Sequence, residues 1–71
     1  MNIAHFNGRR ITKRSTGDLL YTDSKTLKLR TEEGNTIRKG SIVESAGTLY
    51  YYIGLNQYGL LDLRQVIKST R

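Results

Sequence analysis

Residues 48–54 read Thr48-Leu49-Tyr50-Tyr51-Tyr52-Ile53-Gly54. Three of the chain's six aromatics stand side by side here, in a sequence with five Tyr, one Phe and no Trp. Aromatic and β-branched residues favour a strand, and a strand turns successive side chains to opposite faces, so the three rings cannot share one environment. Leu49, Tyr51 and Ile53 form the more apolar set and are expected in the core. Tyr50 and Tyr52 are then expected on the outer face, two residues apart, a spacing suited to stacking flat rings. The competing reading is cross-strand packing, in which each tyrosine covers a neighbour's alkyl chain, an Arg stem included.

Outward from this run, the chain divides into short segments separated by turns, which predicts a mostly β domain. Before it, Thr36–Ser45 holds Ile37, Ile42 and Val43 around Gly40, and Ala46-Gly47 breaks the pattern. Glu32-Glu33-Gly34-Asn35 is an earlier turn. Thr26–Thr31 alternates, with Leu27 and Leu29 on one face and Lys28 and Arg30 on the other. Nearer the start, Asn7-Gly8 tolerates the positive φ of a type I′ turn, which predicts a hairpin between residues 2–6 and 9–14. With no Pro in the chain, every residue after the first can donate to a ladder.

The tail has two readings. Leu60, Leu63 and Ile67 against Arg64, Lys68 and Arg71 have the period of an amphipathic helix, with Asp62 and Gln65 spaced as a capping box. Alternatively, a single 3₁₀ turn at residues 62–65 leads into a closing strand at 66–70.

Residues 37–66 resemble the C-terminal half of an SH3-like barrel. An apolar residue precedes a basic-Gly-polar corner and an apolar strand (Ile37-Arg38-Lys39-Gly40-Ser41-Ile42-Val43). An aromatic strand follows (residues 48–54), and then a Gly-apolar-apolar step and turn ending at Val66. The resemblance implies a small antiparallel SH3-like barrel with a short 3₁₀ or helical turn near the C-terminus, a fold whose relatives often bind RNA, DNA or proteins. It also favours the turn-and-strand reading of the tail. Asp62 stands where proline-peptide-binding members carry a proline, and their acidic loop has no counterpart, so no groove residue carries over.

Length and composition bound the function. At 71 residues, the chain is one domain, residues 1–71, near the size where a single core gives marginal stability. It has no Cys, hence neither disulfides nor thiolate metal sites. The start, Met1–Arg10, lacks the apolar run of a signal peptide, and no segment approaches a membrane span, so a cytoplasmic location is expected. Catalysis is not expected. His5 is the one imidazole and is read as a half-buried strand residue, and nucleophile elbows, phosphate loops and metal-ligand spacings are absent. No cofactor is expected either.

Charge gives the positive signal. Twelve Lys and Arg against six Asp and Glu give +6. Nine basic residues and four acids put +5 into residues 1–39, leaving +1 for residues 40–71. Such asymmetry favours a polyanionic partner, because neutralising phosphates releases counterions. Excess charge that merely keeps a small domain soluble is the competing reading, since about 2–8 is ordinary. The candidate nucleic-acid-binding residues are Arg9, Arg10, Lys13, Arg14, Lys28, Arg30, Arg38 and Lys39, with Tyr50 and Tyr52 stacking and Tyr58 extending the platform. Arg9–Arg14 reads equally well as an edge strand guarded by charge. RNA or single-stranded nucleic acid is the favoured partner. The alternative is an acidic surface of a larger protein, docked by the same cations with tyrosine anchors. The sequence leaves the oligomeric state open.

Overall fold

In the computed structural model, which describes residues 2–66, Asn7 and Gly8 adopt φ of 54° and 78°. They close a two-residue type I′ loop in which Phe6 pairs with Arg9 and His5 with Arg10. The arms of this hairpin do not stay together. The first arm carries β1 (Asn2–Ile3) and β2 (His5–Phe6), and the second carries β3 (Arg9–Arg10) and β4 (Thr12–Lys13). They part at Ala4 and Ile11, where β5 (Leu20–Asp23) begins. Ala4 N–H donates to the Leu20 carbonyl at 3.0 Å, Leu20 N–H to Ile11 at 3.1 Å, and Ile11 N–H to Ala4 at 3.2 Å. All three side chains are buried.

From this three-cornered junction the strands diverge into two larger sheets. Beyond β5 the chain forms β6 (Lys28–Thr31), β7 (Ile42–Ser45), β8 (Thr48–Leu55) and β9 (Leu61–Gln65). One sheet has the order β1-β5-β6, the other β4-β7-β8-β9, and β2-β3 forms the small third. Every pairing is antiparallel. The domain is thus mostly β, with no helix among the described residues, and its sheets do not close into one barrel. Leu20, Leu29, Ile37, Val43 and Tyr52 join Ala4 and Ile11 in the core, with Phe6, Tyr50, Leu61 and Leu63 packed against it.

Three expectations are corrected. The inward set on β8 is the even one: Tyr52 is buried at 2 % exposure, whereas Tyr51 is 40 % and Ile53 47 % exposed. The cause is register. Ala46-Gly47, at φ of 54° and 82°, makes a second two-residue turn that pairs Ser45 with Thr48, Val43 with Tyr50 and Ile42 with Tyr51. Cross-strand partners share a face, so the fully buried Val43 carries Tyr50 inward and leaves Tyr51 outside.

Secondly, residues 61–65 are strand β9, not a 3₁₀ or helical turn. Leu61 and Leu63 pack on the core, which makes period two the relevant one. A β-bulge between Tyr52 and Gly54 absorbs the register shift against β9. Most of the closing strand expected at 66–70 lies outside the described residues. Thirdly, Leu27 does not share an inward face with Leu29. It ends the Ser24–Leu27 turn at φ 55° and is exposed, while Leu29 is fully buried.

Candidate nucleic-acid interface

Alternation along β8 puts Leu49, Tyr51 and Ile53 on the outer face of the four-stranded sheet. Pairing extends that face sideways. Arg14 N–H donates to the Ile42 carbonyl at 3.1 Å, Ile42 pairs with Tyr51 and Tyr51 with Arg64. An exposed row Arg14–Ile42–Tyr51–Arg64 therefore crosses the sheet, covering three inter-strand steps, about 14 Å at the usual spacing. The neighbouring row on the same face is Thr12–Glu44–Leu49–Val66. Beyond the bulge, exposed Ile53 and Asp62 complete the face. Its centre is apolar and aromatic, its ends are arginines, and Glu44 and Asp62 are the acids beside it.

At the Arg14 end the row runs into a shallow hollow of about 370 Å³, lined by Lys13, Arg14, Ser15, Ser41 and Ile42. Because β4 is the edge of its sheet, the half-buried Lys13 lies along the edge and still contributes to this hollow. Two cations and two hydroxyls thus sit at one end of the exposed ring.

No family model matches the chain, and no curated protein or solved structure matches it.

The other candidate residues are dispersed. Arg9 and Arg10 are exposed on the β2–β3 hairpin, with Arg10 opposite His5, which is exposed and not half-buried. Lys28, Arg38 and Lys39 line a separate pocket on the inner side of β8. Arg30 is held in its own hairpin: its Nε donates to Asp23 Oδ2 at 3.1 Å, and its Nη1 to the Gly34 carbonyl at 3.1 Å and Thr36 Oγ1 at 2.8 Å. Partial burial by itself would raise the Asp23 pKa. Hydrogen bonds from Thr26, Arg30 and the Lys25 and Thr26 amides outweigh it and hold the carboxyl below its ordinary value. An arginine so engaged is a brace for the β5–β6 hairpin.

Tyr50 and Tyr52 are not on the outer face, so neither offers a ring for stacking there. Phe6 meets Tyr50 edge-on, with centroids 5.1 Å apart and planes at 62°, a contact worth about 0.5–1.5 kcal/mol beyond burial. Tyr52 is inside the core. Tyr58 is 76 % exposed, but it occupies the β8–β9 loop, where its amide and that of Leu60 donate to Asn56 Oδ1 at 2.9 and 3.0 Å. The sequence pattern puts Tyr51 and Ile53 in the core, gives Ile42 no face, and leaves Arg64 in either a helix or a 3₁₀ turn. The signal that locates them is Glu44: once the turn sets the register, that carboxylate marks its whole face as the solvated one.

Proposed function

We propose that the protein is a non-catalytic, cytoplasmic binder of RNA or single-stranded nucleic acid, and that the strand crosses the outer face of β4-β7-β8-β9. The observation that carries this reading is the row Arg14–Ile42–Tyr51–Arg64. It places an exposed ring among apolar neighbours with a guanidinium at either end, and Lys13, Ser15 and Ser41 beside one of them. A base stacked on Tyr51 gains about 1–3 kcal/mol whatever its identity, while arginine forks take phosphate oxygens in pairs. Arg9 and Arg10 add charge from the neighbouring hairpin. An SH3-like arrangement is part of the proposal, supported by two small antiparallel sheets around one core. No helix among the described residues is long and apolar enough to cross a membrane, which is compatible with the proposed location.

Binding of a mixed-sequence RNA at two salt concentrations tests the reading. Tyr51→Ala is expected to weaken binding by about 1–3 kcal/mol with little change in salt dependence. Arg14→Ala with Arg64→Ala is expected to reduce the slope of log K against log salt by about 1.4, two single-strand contacts at 0.7 each. Unchanged affinity in both variants would overturn the reading.

The second reading, a module that docks an acidic protein surface, is favoured by one observation: Ile42, Tyr51 and Ile53 are exposed together, and Ile42 and Ile53 offer nothing to a phosphate. It requires Ile53→Ala to abolish capture of a partner protein while nucleic-acid binding is absent at both salt concentrations.

A further inference from the structure

On the inner side of β8 the core ends in a half-open pocket of about 600 Å³. Ile37, Tyr52 and Leu55 give it an apolar floor, and Leu27 is a wall. Lys28, Arg38 and Lys39 line it too, and no acid does. Among the described residues the one ion pair is Arg30–Asp23, so none of these three cations has a carboxylate partner there. Three like charges around an apolar hollow repel one another, and an anion seated among them relieves that repulsion.

Two backbone features shape the pocket. Leu27 holds φ 55°, a left-handed conformation that side-chain-bearing residues other than Asn and Asp avoid. Strain of this sort gathers at ligand sites, where the surrounding fold over-determines it. Gly54 has φ 137°, and a Cβ there would lie 3.0 Å from Lys39 Cε. The bare backbone lets the lysine stem cross β8 beside the pocket.

We propose that this pocket binds a nucleoside monophosphate unit, its ring against Leu27 and Leu55 above the buried Ile37 and Tyr52, and its phosphate among Lys28, Arg38 and Lys39. Inorganic phosphate would leave the exposed Leu27 and the half-buried Leu55 uncovered, and an uncharged alkyl chain would leave three cations without counter-charge. A flat ring joined to a phosphate answers both, and the volume falls within the usual range for small-ligand sites, roughly 300–1,000 Å³. The pocket faces away from Tyr51, so the inference does not depend on the outer-face reading. A free mononucleotide and an unstacked nucleotide of a strand share the chemistry.

The test is an NMR titration of ¹⁵N-labelled full-length protein with AMP, adenosine, ribose 5-phosphate, inorganic phosphate and a short oligonucleotide. AMP is expected to shift the amides of Thr26, Leu27, Lys28, Arg38, Lys39 and Leu55 saturably, to bind at least about tenfold more tightly than adenosine, the worth of one charge-assisted contact, and to bind more tightly than phosphate, which has no ring to bury. Arg38→Ala is expected to weaken AMP about tenfold on the same basis. Leu27→Asn, which suits the positive φ, is expected to keep or raise the thermal midpoint while weakening AMP. Tighter occupation of the pocket by the oligonucleotide than by AMP identifies a strand as the source, and the reverse order identifies a free nucleotide. The proposal is overturned if AMP gives no saturable shifts at the pocket, if phosphate binds as tightly as AMP, or if Leu27→Asn leaves AMP affinity unchanged. Failure of AMP while the oligonucleotide still shifts Tyr51 removes the pocket and leaves the outer face standing. AMP binding with no oligonucleotide response at Tyr51 does the opposite.

Discussion

Tyr52 puts a phenol where its anion is poorly solvated. Burial pushes its pKa above the ordinary 10.0, and the Leu29 backbone offsets only part of that. The sign follows directly. The unfolded chain gives up the phenolic proton first, near pH 10, so the contribution of the neutral phenol is complete below that pH and is lost as pH rises through the higher folded value. The urea midpoint of the wild type is therefore expected to fall more steeply between about pH 9 and 11 than that of Tyr52→Phe, which has no proton to lose. Parallel curves would show that the ring is not buried as described. The same side chain shows why residue-level reading went astray at 48–54. Tyr50, Tyr51 and Tyr52 are chemically identical, so nothing within the triplet says which ring goes inside. The answer lies across the strand pair, in Val43 and Glu44.

That answer reaches the triplet through the β7–β8 hairpin, and the turn is where the element carries strain. Type I′ turns require positive φ at both central residues, which Asn-Gly supplies readily and Ala-Gly does not. Asn7-Gly8 was legible as a hairpin because its chemistry matches its geometry. Ala46-Gly47 read only as a break, because alanine is a poor left-handed residue, even though Ala46 adopts φ 54°. Ala46→Asn is expected to stabilise the protein by about 1 kcal/mol, a rise in melting temperature of about 4–8 °C at this chain length. Calorimetry measures it, and no gain would mean that the turn is not strained. β9 was misread for a related reason. Leu60, Leu63 and Ile67 fit a helical period, but Leu61 and Leu63 are the residues that meet the core, and a five-residue strand is too short for periodicity alone to separate from a turn of helix.

At the scale of the molecule, the antiparallel β class followed from turn spacing and alternation, but the assembly of its parts did not. Eight cations were singled out along the sequence. The fold sends Arg14 to the outer side of the four-stranded sheet, with Lys13 along its edge, and Lys28, Arg38 and Lys39 to the inner side, and it fastens Arg30 to Asp23. Such sorting depends on long-range pairing, which local pattern does not encode. It depends above all on the junction of Ala4, Ile11 and Leu20, because there the first hairpin divides and supplies one strand to each sheet. Ile11, the lone apolar residue among the cations of residues 9–14, is fully buried at that point. Ile11→Ala is expected to cost about 2–5 kcal/mol, a large share of what a chain this small has, at roughly 0.05–0.15 kcal/mol per residue. Because the junction belongs to both sheets, amide exchange in β5–β6 and in β7–β8 should accelerate together. Leu60→Ala, at a residue 63 % exposed, serves as the control and should change stability by no more than about 0.5 kcal/mol. If Ile11→Ala costs no more than Leu60→Ala, or if only one sheet's amides lose protection, the two sheets do not share this corner. The placement of the cations on opposite sides of β8 would then have to be explained by each sheet alone.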